Sequence, residues 1–564
     1  MIRWTPKSVL ALRHYNRRTF VSDLIAGVTV GLVALPLAMA FAIASGMPPQ
    51  AGIYTAVVAG FLTSALGGST TAIGGPTGAF VVVVAGIIAQ YGIDGLFMCT
   101  LLAGIILVGL GASQVGSAVK YIPRPVVVGF TNGIAVLIAS TQVRDFFGLQ
   151  VARVPDDFIG RVRALAASFD TVSMPAVAVG MTTLVIVLLT PRVVRSVPGT
   201  IVAMIGVTIA AAAMALPVET IGTRFGGVPS GLPHLQFPQF HPSLITKLLV
   251  PAMTVAMLGA IESLLSATVA DRMTGTRHNP NVELVAQGIA NICTPLVGGL
   301  PATGAIARTA TNIRSGARTP VAGMIHSVTL LLILLFAAPL AARVPLALLS
   351  AILFIVAYNM GEWHQIPALL KLTKTDIAVW LTTFTLTVVA DLTVAVEVGM
   401  VLAALLFIRR VAETTSVARV TGRLIEEGRV HSLQGLSIPS YVAVYRIHGP
   451  FLFGATDKLQ RITDHLRSLP RVIIVRLRHV PAMDASGLQA LEDLADELAA
   501  SGRTLLLCGA REQPAQLMER AEFHRHVGDN NVLPNIQDAL ERARQIALEL
   551  HLGDEEAITS RRSL

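Results

Sequence analysis

Apolar segments follow one another from about Leu24 to Ile408, each bounded by a few polar or basic residues, and then the pattern changes abruptly. A helix needs about 20 residues to cross the hydrocarbon of a bilayer. Segments of that order lie at 24–45, 51–67, 96–117, 124–142, 173–190, 199–216, 247–271, 283–298, 319–340, 345–361, 376–391 and 393–410. Two more, 77–90 and 302–314, are apolar but too short to cross alone. Counted as broken spans, they bring the total to roughly fourteen.

The two short segments open on similar turns, Gly74-Gly75-Pro76-Thr77-Gly78-Ala79 and Gly299-Leu300-Pro301-Ala302-Thr303-Gly304-Ala305. Glycine and proline interrupting short apolar segments at corresponding positions of two halves point to an inverted-repeat transporter with its site at the repeat interface. The offset from Thr77 to Thr303, 303 − 77 = 226, carries Asp23 at the start of the first span to position 249, close to the start of the span over 247–271.

Beyond Ser437 the periods are those of a soluble domain. Tyr441–Ile447, Val472–Leu477 and Thr504–Cys508 read as strands, and 456–469, Ser486–Leu498, Gln513–Ala521 and Ile536–Leu548 read as helices. Strands alternating with helices predict a small α/β domain on a mostly parallel sheet. The expected organisation is a basic N-terminus over 1–22, a transport domain of two seven-span repeats over 23–412, a linker over 413–436, an α/β domain over 437–550 and a charged tail over 551–564.

Composition agrees with the membrane setting, since 53% hydrophobic and 14% charged residues with a mean hydropathy of +0.66 leave too little polar surface to coat a soluble globule. The net charge of +9 comes from Lys and Arg placed mostly in short loops and termini, which reads as membrane topology rather than nucleic-acid binding. Basic residues before the first span and Arg409–Arg410 after the last put both termini on the cytoplasmic side. No apolar core of a signal peptide appears in residues 1–20. Cys99, Cys293 and Cys508 have neither metal nor redox spacing, and no enzyme constellation is present.

Within this frame Glu262 stands out, a carboxylate deep in the apolar stretch Leu248–Ala270. A charge at that depth costs at least about 2.5 kcal/mol and marks a substrate or ion site unless a structural partner holds it. The free N–H groups of a helix's first turn attract anions. Thr77-Gly78-Ala79 and Thr303-Gly304-Ala305 supply two such ends, with the threonine hydroxyls as further donors and Phe41 as an apolar wall. Arg308 adds a planar cationic fork suited to carboxylate or sulfate, or alternatively pairs with Glu262. Ser266, one turn beyond Glu262, adds a hydroxyl for binding sodium or relaying a proton. Glu283 and Gln287 either line this cavity or satisfy a neighbouring helix; Asp271 and Arg272 read as an interfacial anchor, and Asp391 and Glu397 as structural.

Taken together and in order, Pro48-Pro49-Gln50-Ala51-Gly52-Ile53-Tyr54, Gly75-Pro76-Thr77-Gly78, Gly259-Ala260-Ile261-Glu262-Ser263-Leu264-Leu265, Val269-Ala270-Asp271 and Gly316-Ala317-Arg318-Thr319-Pro320 resemble the SulP family of anion transporters, relatives of the animal SLC26 proteins, with a C-terminal STAS domain. The resemblance implies a fourteen-span inverted repeat with core and gate domains, elevator-like alternating access, a homodimer in the inner membrane, and a cytoplasmic STAS domain with a partner of its own. It places substrate between Thr77–Ala79 and Thr303–Ala305. In the sodium-coupled bicarbonate branch, an aspartate and a threonine stand where this chain has Glu262 and Ser266, so protons are the expected coupling ion and sodium less so. The stretches Tyr121–Gln150, Met257–Glu262 and Met273–Thr276 look closest to the bacterial C4-dicarboxylate members, with sulfate and then bicarbonate as alternatives. A sensor that no longer transports is the reading from a different class. In the STAS domain Ser486 follows Ala485 where related regulators carry a phosphorylated serine motif, although a helix cap accounts for it equally.

Overall fold

The computed structural model describes residues 4–550 apart from 14, 115, 117–122, 152–153, 156, 194–197, 230, 236–238, 240, 391, 421–437 and 464–468. The chain forms two compact units, Met1–Leu402 and Ala403–Leu564.

The first unit is helical. Its principal helices are α1 (Arg17–Ala44), α2 (Pro49–Leu66), α3 (Ala79–Ala112), α4 (Arg124–Phe147), α5 (Met174–Val193), α6 (Gly199–Ala213), α7 (Ile245–Thr274), α8 (Pro280–Cys293), α9 (Ile306–Arg314), α10 (Val321–Ala341), α11 (Leu346–Met360), α12 (Lys374–Val389) and α13 (Leu392–Thr414), the last of which runs on into the second unit. Among the described residues seven helices are long and apolar enough to cross a membrane. The starts follow ordinary capping chemistry. Asn16 accepts the Thr19 amide at 2.9 Å to open α1, Pro49 and Pro280 occupy first-turn positions of α2 and α8, and Gly275 (φ 72°) ends α7 in the left-handed region.

The expected segments 77–90 and 96–117 are joined as α3, but Gly92 sits inside it at φ 73°, ψ −176°, so the break survives as a sharp interruption rather than a loop. Only glycine takes that conformation without strain. Its counterpart, the short α9, starts after β2 (Thr303–Gly304), and β2 pairs antiparallel with β1 (Gly74–Gly75), with Gly74 opposite Gly304 and Gly75 opposite Thr303. The two interrupted segments therefore meet. A second contact between the halves is made by glycines of α3 and α8: a Cβ on Gly104 would stand 2.7 Å from the Gly288 carbonyl oxygen, and one on Gly288 2.6 Å from that of Gly104. Small residues of this kind let membrane helices approach to backbone contact.

The second unit carries a sheet in the order β3 (Ser416–Arg419), β4 (Val442–His448), β5 (Val472–His479), β6 (Thr504–Cys508), β7 (Val532–Leu533). All neighbours are parallel except β3 and β4. Helices α14 (Asp457–Thr463), α15 (Ala485–Ala500) and α16 (Glu512–Arg520) accompany it. Leu459, Leu491, Leu498 and Met518 from them pack with Val475 and Leu477. On the opposite face α17 (Ile536–Glu549) seats Ile536, Leu540 and Ile546 against Val444, Ile474 and Leu506. The antiparallel edge β3 falls within the stretch read as a linker over 413–436, of which 421–436 lie outside the described residues: four residues ending in arginine give too short a strand signal, and pairing with β4 makes them a strand. The tail expected over 551–564 lies outside the described residues.

Candidate functional site

The β1–β2 pair sets the starts of α3 and α9 beside one cavity of about 380 Å³, whose lining includes Thr77, Gly78, Gly304, Ala305, Arg308 and Glu262. Phe41 of α1 lines it as well. Across from these stand Phe130 and Thr131 of α4 and Val356, Asn359 and Met360 of α11, none of which carries a chemical signature in the sequence. Ala79, Thr303 and Ser266 are not among the lining residues.

Glu262 accepts a hydrogen bond from the Thr77 hydroxyl at 3.2 Å, joining the carboxylate of α7 to the turn before α3. Arg308 is 2% exposed. Its Nη2 donates to the Pro76 carbonyl, while its Nη1, buried against Gly75, has no hydrogen-bond partner among the described residues. The Arg308–Glu262 ion pair is not formed among the described residues, whose ion pairs lie elsewhere. A buried donor without an acceptor carries a desolvation cost that a bound anion would relieve.

The remaining expected residues work as pins. The Thr303 hydroxyl donates to the Gly259 carbonyl at 2.9 Å and receives the Ser263 hydroxyl at 2.9 Å, while Ser263 Oγ accepts the Gly304 amide at 3.0 Å. Thr303 is thus tied to α7 and spoken for as an anion donor. Ser266 is bound to the Thr309 hydroxyl at 2.9 Å, and Thr309 also accepts the Ile73 amide at 2.9 Å. Ser266 shares no hydrogen bond with Glu262 among the described residues, contrary to a common carboxylate–hydroxyl site; four helical steps leave it rotated far enough to face α9. Ser263 and Thr309 are polar residues of the site that sequence reasoning missed, since a lone hydroxyl in an apolar segment reads as ordinary packing.

Glu283 has a defined task away from the cavity, accepting the Gly68 and Ser69 amides at 2.8 and 3.0 Å. Gln287 is fully buried. Asp271 holds His278 through the ring at 2.7 Å and the amide at 3.1 Å, which fits its reading as an end-of-helix anchor. Asp391 and the side chain of Glu397 lie outside the described residues. Among the described residues no group of His, Cys, Asp and Glu could hold a metal ion. In the second unit, Asp484 accepts the Gly487 amide at 2.9 Å and the Phe453 amide at 3.0 Å, so it caps α15. Ser486 lies beside it on a groove that also presents Asp493 and Glu497. Those carboxylates would oppose a phosphate there.

This arrangement, two interrupted segments meeting beside a membrane carboxylate and a buried guanidinium, has known counterparts. Residues 20–383 match the sulfate permease family, and residues 436–540 match the STAS domain. The chain belongs to the sulfate permease family. It is 41% identical to the putative sulfate transporter YvdB of Bacillus subtilis, over 91% of this chain and 96% of that protein. It is 31% identical to the bicarbonate transporter BicA of Synechocystis, over 93% and 94%. The transmembrane domain of a cyanobacterial BicA superposes with a TM-score of 0.62 at 33% identity, covering 69% of this chain and 98% of that one. A structure of SLC26A9 shares the fold across 96% of this chain and 93% of its own, with a TM-score of 0.85 at 17% identity. As a SulP member with a C-terminal STAS domain, the protein is a multi-pass membrane anion transporter and not an enzyme. The expectation of a C4-dicarboxylate gains nothing from these relatives, and the cavity lining holds Arg308 but no second cation for a second carboxylate.

Proposed function

We propose that this protein is a secondary active transporter of a compact inorganic oxyanion, sulfate first and bicarbonate second, driven by protons exchanged at Glu262. The observation that carries the reading is that Arg308, whose buried Nη1 has no hydrogen-bond partner among the described residues, lines one cavity with Thr77, Gly78, Gly304 and Ala305 at the starts of α3 and α9. An oxyanion there would accept from Arg308 and from first-turn backbone amides. Relatives named as putative sulfate and bicarbonate transporters support this class of substrate over a dicarboxylate. Glu262 next to that anion is best occupied when protonated, which links proton uptake to anion binding. The Thr77 hydroxyl, bonded to Glu262, makes the first half-helix sensitive to that proton.

The same reading includes fourteen spans, both termini in the cytoplasm of a bacterial-type inner membrane, an elevator-like displacement of the cavity, a homodimer among membrane lipids, and a STAS domain that recruits a cytoplasmic partner. The test is uptake of labelled sulfate into proteoliposomes under an imposed inward proton gradient, with bicarbonate, succinate, fumarate and uracil as competitors. Accumulation that a protonophore collapses and bicarbonate competes supports the proposal. Block by fumarate alone transfers it to dicarboxylates. Anion binding without flux turns it toward a sensor.

A further inference from the structure

A second cavity of about 1110 Å³ adjoins the central one, with Leu37, Ala307, Val356 and Asn359 lining both. This vestibule runs past Thr29 of α1 and Thr200 of α6 to the end of α9, where Arg314 and Ser315 form part of its wall. Among the described residues that line it, Arg314 is the one charged side chain. It is exposed, and none of the described ion pairs includes it. Ala307, Thr311 and Arg314 recur at the i, i+4, i+7 positions of α9, so one stripe of that helix paves the vestibule, and its inner residue Ala307 lines the central cavity together with its neighbour Arg308.

We infer that Arg314 forms a second, weaker anion site at the mouth of the vestibule, a way-station from which oxyanions pass along α9 to Arg308. The inference rests on the anion-transport reading of the central cavity and adds a residue to it. Six residues of helix rise separate the two guanidinium-bearing positions by about 9 Å, close to the Debye length of physiological salt, so an anion at one is felt at the other. Apolar walls on the facing helices focus the field of a single cation along the vestibule. The carbonyl end of α9 opposes tight binding beside Arg314 and leaves the station loose enough to release its anion inward. Arg314 also suits the last turn of α9 as a helix-end cation, a structural role that any test must separate from anion capture.

The experiment uses the full-length chain with Cys99, Cys293 and Cys508 replaced by serine and Thr311→Cys as a reporter on the vestibule stripe. Its rate of modification is compared for an anionic sulfonatoethyl and a cationic trimethylammonioethyl methanethiosulfonate reagent, with and without sulfate. Positions 311 and 314 stand about 5–6 Å apart on the helix. Coulomb's law in water at that separation predicts that Arg314→Gln lowers the anionic-to-cationic rate ratio about tenfold. Arg314→Lys should restore the ratio, although it would equally keep a helix-end cation. Sulfate should slow the anionic reagent in the Arg308→Gln background and not in Arg314→Gln. A rate ratio unchanged in Arg314→Gln, or sulfate protection lost with Arg308 and indifferent to Arg314, overturns the way-station. Sulfate uptake with an unchanged half-saturation in Arg308→Gln, beside protection that still depends on Arg314, would instead retire the central reading of Arg308 and leave the vestibule site standing.

Discussion

Thr309→Val isolates what holds the cavity together from what fills it. The substitution is nearly isosteric but deletes the hydroxyl that accepts the Ile73 amide and pairs with Ser266, both at 2.9 Å and both buried. Leaving a buried N–H without an acceptor costs about 1–3 kcal/mol, and losing the hydroxyl pair about 0.5–1.5 kcal/mol more. The sum, about 1.5–4.5 kcal/mol, falls on the segment that feeds β1, because the Ile73 carbonyl in turn accepts the Ala305 amide at 2.7 Å. Ser266→Ala removes only the pair and leaves Thr309 serving Ile73, so it should cost no more than about 1.5 kcal/mol. The assay is reversible unfolding of the purified protein in mixed micelles, run beside sulfate uptake in proteoliposomes. Thr309→Val should be clearly the less stable variant and should lose uptake, while Ser266→Ala keeps uptake with its pH dependence intact. If Thr309→Val unfolds within about 0.5 kcal/mol of the parent, the pin is not carrying the load assigned to it. If Ser266→Ala abolishes the pH dependence, Ser266 belongs to ion coupling after all.

Further expectations concern the cavity and the STAS unit. Glu262→Gln, which mimics the protonated acid and can still accept from Thr77, should fold normally and exchange anions yet fail to accumulate them under a proton gradient; unchanged accumulation removes Glu262 from coupling. Arg308→Lys cannot reach both Pro76 and an anion with one ammonium, so half-saturation should rise roughly 10- to 150-fold, equivalent to about 1.5–3 kcal/mol for a charge-assisted bond, and an unaltered value would return Arg308 to a structural role. Gly304→Ala brings a Cβ to 2.8 Å from Ser263 Cα and 3.0 Å from Ser266 Cβ; β2 and α7 must part, at about 1–3 kcal/mol, and uptake measured at low temperature should still be lost. In the STAS unit, His479 is held below its ordinary pKa by burial and then by His448, Arg446, Arg476 and Arg478. The unfolded chain therefore takes up this proton first as pH falls, so the stability it reports is present above about pH 6.5 and lost on acidification. Thermal exposure of the buried Cys508 thiol should move to lower temperature between pH 7.5 and 5.5, and less so in His479→Gln.

Much of the site is legible in the chain because its chemistry conflicts with its surroundings. Glu262 and Arg308 are ionised groups in apolar segments, and the glycine–proline turns before Thr77 and Ala305 interrupt helices that would otherwise run on. Each conflict needs a structural resolution, and the cavity supplies it. Direction is what the chain leaves out. Thr77 and Thr303 occupy matching turns, yet one donates to the Glu262 carboxylate and the other to the Gly259 carbonyl, where the Ser263 hydroxyl donates to it in turn. Ser266 lies one turn from Glu262 in projection, and only the position of α9 decides that Thr309 claims it. The opposite wall, Phe130, Val356 and Met360, is silent for another reason: apolar residues lining a cavity look the same in sequence as apolar residues facing lipid.

The distribution of hydrogen bonds also says where this fold can yield. The two interrupted segments are bound to their neighbours by buried polar ties: Asn291 to Ala302 in both directions at 2.8 and 2.9 Å, Thr55 to the Leu300 amide at 2.6 Å, Asn312 to the Thr71 carbonyl at 2.9 Å, and Asp23 to the Arg318 and Thr319 amides at 2.8 and 3.2 Å. Breaking any of them inside a membrane leaves a polar group with nothing to replace its partner. By contrast, the side-chain hydrogen bonds from α4 to other elements among the described residues go to neither α7 nor α9: Asn132 with Gly361 and Trp380, Arg124 with Gln365, Ser140 with Arg161 and Asp145 with Arg224. Where α4 and α11 face Phe41, Leu258 and Ile261 across the cavity, the contact is largely apolar. Sliding apolar surfaces past one another exchanges similar dispersion contacts, whereas sliding within the first group would strand amides and carbonyls. The low-cost displacement is therefore of the whole cradle, with Arg308, Glu262 and both half-helix starts moving together against α4 and α11. The elevator-like cycle proposed for this protein would require that division, with the polar pins rather than the anion site itself setting which residues move together.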